Sequence, residues 1–131
     1  WTKRAGKSLP SRPKDWRAWK LSGYFHLRQK KTESAVAEFA KYVDLRPDTA
    51  DSYDSFAEAL IQKNDYDKAE MNLKKALSID KDFKHSVERL AQVYELKGQK
   101  QEARDTYQRY LALEQDEAKR KQTAEKIRAL Q

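Results

Sequence analysis

Small and large apolar residues recur along this chain at helical spacing, and the whole pattern then returns at one constant interval. In and just after the stretch Asp65–Leu77, a small Ala69 is followed by Leu73, Ala76 and Ile79 at +4, +7 and +10. Those offsets draw one stripe along a helix. The same stripe stands one interval earlier as Ala35, Phe39, Tyr42 and Leu45, and one interval later as Ala103, Tyr107, Tyr110 and Leu113. A second set of columns lies between these stripes, with the same shift: Trp19, Tyr53, Val87; Ser22, Phe56, Leu90; Gly23, Ala57, Ala91; and His26, Leu60, Tyr94. A period of about 34 residues marks a stacked repeat, in which each unit buries a face against its neighbours. Gly or Ala in the third column lets two helices cross closely, and Ala35, Ala69 and Ala103 fit that gap while the large residues fill the space around it.

Punctuation between the stripes sets the predicted helices. They run from about Lys14 to Gln29, Thr32 to Arg46, Asp48 or Thr49 to Lys63, residue 66 to 79, 84 to 97 and 100 to 113. Thr32 and Asp48 or Thr49 are the expected N-caps. Pro47 stops one helix, Asn64–Asp65 make a turn, and Asp80 to Asp82 make a turn and a new cap. Gly98 suits a left-handed C-cap. A final helix is expected over Asp116 to Leu130, with Ala124, Ile127 and Leu130 as a weak stripe and a dense coat of Lys, Arg and Glu. A break near Glu114–Asp116 would fold it back as a cap, since the outer side of a terminal repeat has no neighbour.

These columns resemble the tetratricopeptide repeat (TPR) pattern W-x2-L-G-x2-Y, then A-x3-F, then Pro. The resemblance covers about residues 16–117 as three repeats, about 16–49, 50–83 and 84–117, plus the capping helix at about 116–130. Ser22 departs from the usual Leu and His26 from the usual Tyr, and only Pro47 keeps the closing Pro, with Lys81 and Gln115 in its place elsewhere. His26 reads as a packed histidine rather than a ligand. The fold implied is an all-α, right-handed superhelical solenoid of antiparallel helix pairs over residues 14–130, preceded by a basic extended arm or linker over 1–13.

Composition fits this picture. Of 131 residues, 38% are hydrophobic and 37% charged. A single round core would be thin, whereas a one-dimensional stack needs only stripes. There is no Cys, which removes disulfides, thiolate metal sites and a Cys nucleophile, and fits any redox compartment. No apolar run reaches membrane-spanning length, and no signal peptide is visible. The chain opens on Trp1, as a fragment or a processed form would. The net charge of +7 is uneven: residues 1–31 hold ten Lys/Arg and one acid, and the remainder carries a slight acidic excess.

The resemblance implies a concave groove lined by the first helix of each pair. Helical spacing puts Arg17, Lys20, Tyr24, Leu27 and Arg28 there in repeat one. Repeat two supplies Asp51, Asp54, Glu58, Ile61 and Gln62, and repeat three His85, Glu88, Gln92, Glu95 and Leu96. The groove is then basic at one end and acidic in the middle, which suits an extended peptide carrying both charges. The expected binding residues are Arg17, Lys20, Tyr24, Arg28, Asp54, Glu58, His85, Arg89 and Gln92. Some TPR proteins grip C-terminal carboxylates with a clamp of Lys, Asn, Asn, Lys and Arg. The matching positions here hold Lys20, Tyr24, Ser55, His85 and Arg89, of which Lys20 and Arg89 keep the pattern. Asp54 and Glu58 beside them would repel such a ligand.

No catalytic motif, cofactor or metal site is expected, because two His, no Gly-rich phosphate loop and no His-Glu-x-x-His give chemistry nothing to use. Each acid reads as an exposed helix-face residue, with Asp116 paired to Arg120. The expected partner is a protein or peptide, in a scaffold or adaptor role. Two other readings remain. Trp1, Trp16, Trp19, Tyr24 and Phe25 among basic residues would suit a single-stranded nucleic acid or anionic surface, although Trp19 is a repeat-column residue and Trp16 is expected to cover the open end of the stack with Leu9 and Pro10. Alternatively, the chain is an accessory tail of a larger enzyme or assembly factor.

Overall fold

The computed structural model describes residues 14–131. They form seven helices: α1 (Trp16–Arg28), α2 (Thr32–Leu45), α3 (Ala50–Gln62), α4 (Tyr66–Ile79), α5 (Lys84–Leu96), α6 (Lys100–Leu113) and α7 (Glu117–Ala129). Consecutive helices pack as pairs α1·α2, α3·α4 and α5·α6, each pair rests on the next, and α7 closes the stack against α6. This is the all-α solenoid of helix pairs that the repeat period predicts.

The columns form the core. Ala35, Phe39 and Tyr42 are buried, as are Ala69, Leu73 and Ala76, and Ala103, Tyr107 and Tyr110. The fourth position of the stripe is the exception, because it lies where the second helix leaves the stack: Ile79 is exposed, and Leu45 and Leu113 are half-buried. Gly23 marks the crossing of α1 and α2, where an added Cβ would stand 2.6 Å from Phe39 Cε1. Ser22 and His26, in columns that are apolar in the later repeats, both turn to Glu38: Ser22 donates to Oε2 at 2.9 Å, and His26 Nδ1 lies 2.7 Å from Oε1.

Each first helix ends the same way. Lys30, Asn64 and Gly98, which share one register position in successive repeats, all hold positive φ, at 62°, 69° and 78°. The amides that follow reach back to carbonyls, Lys31 to His26, Asp65 to Leu60 and Gln99 to Tyr94, each at 2.9 Å. These are Schellman turns, which satisfy the orphan carbonyls of the helix and reverse the chain. Gly98 therefore holds the predicted left-handed position, and two non-glycine residues do the same work.

The caps differ in part from expectation. Thr49 and Asp65 accept amides from Ser52 and Lys68. Thr32 is not a cap: the Schellman turn delivers Lys31 to that position, and the Thr32 hydroxyl instead donates to Gln62 Oε1 at 2.5 Å. Phe83, rather than an Asp, is the N-cap of α5, while Asp80 Oδ1 accepts the Asp82 amide within the turn. The Arg120 guanidinium goes to the carbonyls of Leu111 and Glu114 instead of to Asp116. Between α6 and α7 the chain breaks over residues 114–116, and Ile127 and Leu130 pack back onto Ala91, Ala103 and Tyr107.

The break is fastened by Glu114. Its carboxylate accepts the amides of Gln115 and Asp116 and the Tyr110 hydroxyl, and sits 3.3 Å from Lys84 Nζ. The Asp116 amide and the Tyr110 hydroxyl, with Lys84, outweigh burial and lower the Glu114 carboxyl to about 2. An acid in this position is not the exposed helix-face residue that the pattern suggested, for only 4% of it is exposed.

Candidate functional site

α3 and α5 touch directly, so the first helices of successive pairs lie side by side and share one surface. Its N-terminal end carries the aromatic pair Trp16 and Tyr42, stacked at 5.6 Å with an interplanar angle of 12°. Arg17 and Arg46 cover the Trp16 ring at 4.5 and 4.8 Å. Trp16 thus sits on the second helix of its own pair; Leu9 and Pro10, its expected companions, and the basic arm as a whole lie outside the described residues.

Moving along the surface, the charged residues engage one another across helices. Lys20 on α1 meets Asp51 on α3 at 2.8 Å, and Asp51 also accepts the Tyr42 hydroxyl at 2.5 Å. Burial raises the Asp51 carboxyl, but the hydrogen bonds from Lys20 and Tyr42 lower it further, so the net shift is downward. Tyr24 shares a 2.7 Å hydrogen bond with Ser55, and burial is the main reason its hydroxyl is pushed up to about 12. Both tyrosines therefore stay neutral at ordinary pH and serve as hydrogen-bonding groups.

Between α3 and α5 the contact is stronger. Asp54 accepts from Ser86 at 2.8 Å and from Arg89 Nε at 3.2 Å, and Arg89 Nη2 reaches Glu58 at 3.2 Å. Asp54 is only 3% exposed, which corrects the expectation of an open groove acid. The reason is register: Ser86 and Arg89 on the next first helix close directly over it. A charge-assisted, fully partnered cluster of this kind tolerates burial where a lone carboxylate would not.

The remaining sequence-predicted residues are placed as follows. Arg17, Arg28 and His85 are exposed, with the His85 ring edge-on to Phe83. Glu58, Glu88 and Gln92 are half-buried, and the exposed Glu95 accepts the Tyr107 hydroxyl at 2.8 Å. Leu27 is buried in the first pair and does not line the surface. Ser86 was missed; its signal was the repeat register it shares with Ser52, both polar at a position that packs on the preceding pair. Among the described residues, no group of three His, Asp or Glu side chains is arranged to hold a metal, and no helix is long and apolar enough to cross a membrane.

Comparison with known families agrees with the geometry. A tetratricopeptide repeat model matches residues 60–127, and a second tetratricopeptide repeat model matches residues 3–50. The chain belongs to the tetratricopeptide repeat family. A comparison with curated protein sequences gave no match. Among solved structures, the chain is similar to the TPR domain of Arabidopsis OM64, with a TM-score of 0.80, 23% identity and coverage of 89% of this chain and 97% of that one. It is also similar to the first TPR of Spaghetti (RPAP3) bound to the HSP90 peptide SRMEEVD, at a TM-score of 0.81, 18% identity and 94% and 95% coverage. A third similar structure is the TPR2B domain of yeast Sti1 in a pHsp70 complex, at a TM-score of 0.76, 20% identity and 88% and 91% coverage. At these identities the likeness speaks for the fold.

Proposed function

We propose that this protein is a non-catalytic interaction module that holds an extended, bipolar peptide along the surface of α1, α3 and α5. The residues assigned to it are Arg17, Lys20, Tyr24, Arg28, Glu58, His85, Arg89 and Gln92, with the enclosed Asp54 holding Arg89 in place beneath them. The HSP90 peptide bound to Spaghetti and the pHsp70 complex of yeast Sti1 support the general class of ligand. One observation carries the finer reading: the cations at both retained clamp positions are already held by acids, Lys20 by Asp51 and Arg89 by Asp54 and Glu58. An incoming carboxylate would have to compete with those acids and face their repulsion. A ligand with basic side chains toward Glu88 and toward the acidic excess where Asp54 and Glu58 share the single Arg89, and an acidic group toward Arg17 and Arg28, meets complementary charge instead.

The test compares two peptides by fluorescence anisotropy on the intact chain. One is bipolar, with a basic run followed by an acidic one; the other ends in Glu-Glu-Val-Asp. The bipolar peptide is expected to bind, and to weaken roughly tenfold with Lys20→Glu, Arg28→Glu. Tight binding of the second peptide that depends on Lys20 and Arg89 would restore the carboxylate clamp and discard this reading.

A further inference from the structure

The face of α1 that points away from the stack carries two large exposed apolar residues, Leu21 at 71% and Phe25 at 53%. The repeat register shows what such a face is for. The counterparts of Leu21 are Ser55 and Arg89, and those of Phe25 are Ala59 and Val93. Ser55, Ala59 and Val93 are fully covered, at 0% exposure. Ala59 packs among Leu27, Ala35, Phe39 and Tyr42 of the preceding pair, and Val93 among Leu60, Ala69 and Leu73 of its own preceding pair. The α1 face is therefore a helix-receiving face of the same register, with larger apolar side chains and no helix on it among the described residues.

Charge identifies the occupant. At 100° per residue, Lys14, Arg17, Leu21, Phe25 and Arg28 fall on one side, and all five are exposed. α1 contains no acidic residue, and Asp15 just before it accepts the Arg17 amide as N-cap. Glu38, the acid packed on α1 from α2, is engaged with Ser22 and His26 on another side of the helix. The face is thus an apolar pair bracketed by cations at both ends. A second copy presenting the same face would bring Lys14, Arg17 and Arg28 against their own kind.

The geometry points to a second docking site on this chain: the outer face of α1 receives an amphipathic helix of a partner protein, with an apolar stripe on Leu21 and Phe25 and Asp or Glu at both flanks. This is a helix-on-helix site on the outer side of α1; it borders the extended-peptide groove, shares Arg17 and Arg28 with it, and differs from it in the apolar pair Leu21 and Phe25 and in ligand shape. The apolar pair supplies contact area and the cations set orientation and approach.

Two labelled alanine-based helical peptides test this on the intact chain by fluorescence anisotropy. Both carry leucines at i, i+4, i+7 and i+11; one has glutamates on its flanks and the other lysines. The acidic helix is expected to bind and the basic one to bind at least roughly tenfold more weakly. Leu21→Ser, Phe25→Ala installs the residues that repeat two holds at these positions, so the fold tolerates them, and thermal unfolding checks this. That variant is expected to lose roughly tenfold or more in affinity for the acidic helix, and Lys14→Glu, Arg28→Glu to lose affinity together with its salt dependence. Equal binding of the two peptides, or binding indifferent to Leu21→Ser, Phe25→Ala, overturns the proposal. So does sedimentation showing a dimer that the same substitutions dissociate, because the face would then belong to a second copy.

Discussion

A methyl group at Gly23 would stand 2.6 Å from Phe39 Cε1, and the ring it meets is fully buried, with no room to swing away. Gly23→Ala gains about 1 kcal/mol of helix propensity and incurs an overpacking strain of about 1–3 kcal/mol. The expected outcome is a net loss of stability, read as a fall of several degrees in the thermal midpoint. Glu114 makes a prediction of opposite kind, visible only in acid. Its carboxyl is lowered from an ordinary 4.5 to about 2, chiefly by the Asp116 amide and the Tyr110 hydroxyl. A depressed carboxyl stabilises the fold above its unfolded value, and that contribution fades as pH falls through the folded value. Urea midpoints of the wild type are therefore expected to drop between about pH 4.5 and pH 2. Glu114→Gln should start lower at neutral pH and be flatter across that window.

The turn after each first helix uses the same backbone shape with three different residues, Lys30, Asn64 and Gly98. A left-handed conformation costs a residue with a Cβ about 1–2 kcal/mol, less for Asn. Lys30→Gly is expected to stabilise the protein by about 0.5–1 kcal/mol in equilibrium denaturation. Gly98→Ala should destabilise it by a similar amount through the backbone alone, since nothing lies within 4 Å of the added Cβ. The sequence announces a turn at Asn64–Asp65 and a left-handed position only at Gly98, and Lys30 signals neither, because Lys and Asn have other common uses. The helix pairs, by contrast, were legible throughout. Their columns have to return at one fixed interval if each pair is to sit on the next in the same way. What a period cannot display is the residue standing opposite. Asp54 reads as an open groove acid until Ser86 and Arg89 are seen above it, and Lys20 reads as a free cation until Asp51 is found 2.8 Å away. Spacing assigned these side chains to the first helices; their pairing depends on rotamers across neighbouring helices.

On the scale of the molecule, the two ends of the stack are finished differently. α7 covers the C-terminal end with Ile127 and Leu130 inward and a charged coat outward, and Arg104 ties its last turn by donating to the Leu130 carbonyl at 2.5 Å. Deleting residues 116–131 uncovers Ala103 and Tyr107 and removes two buried apolar side chains worth about 1.5–3 kcal/mol each. The shortened chain is expected to melt earlier and to aggregate, which scattering during a thermal ramp would record. The joints inside the stack are unequal as well. α1 is coupled to α3 by the neutral Tyr24–Ser55 bond and by Lys20–Asp51, a pair that remains 35% and 40% exposed. α3 is coupled to α5 through the enclosed Asp54–Ser86–Arg89 cluster. Exposed ion pairs are screened by salt, and enclosed ones far less. Viewed as a spring, the solenoid has polar fasteners of unequal salt sensitivity, and added salt is expected to weaken the one between α1 and α3 more than the one between α3 and α5.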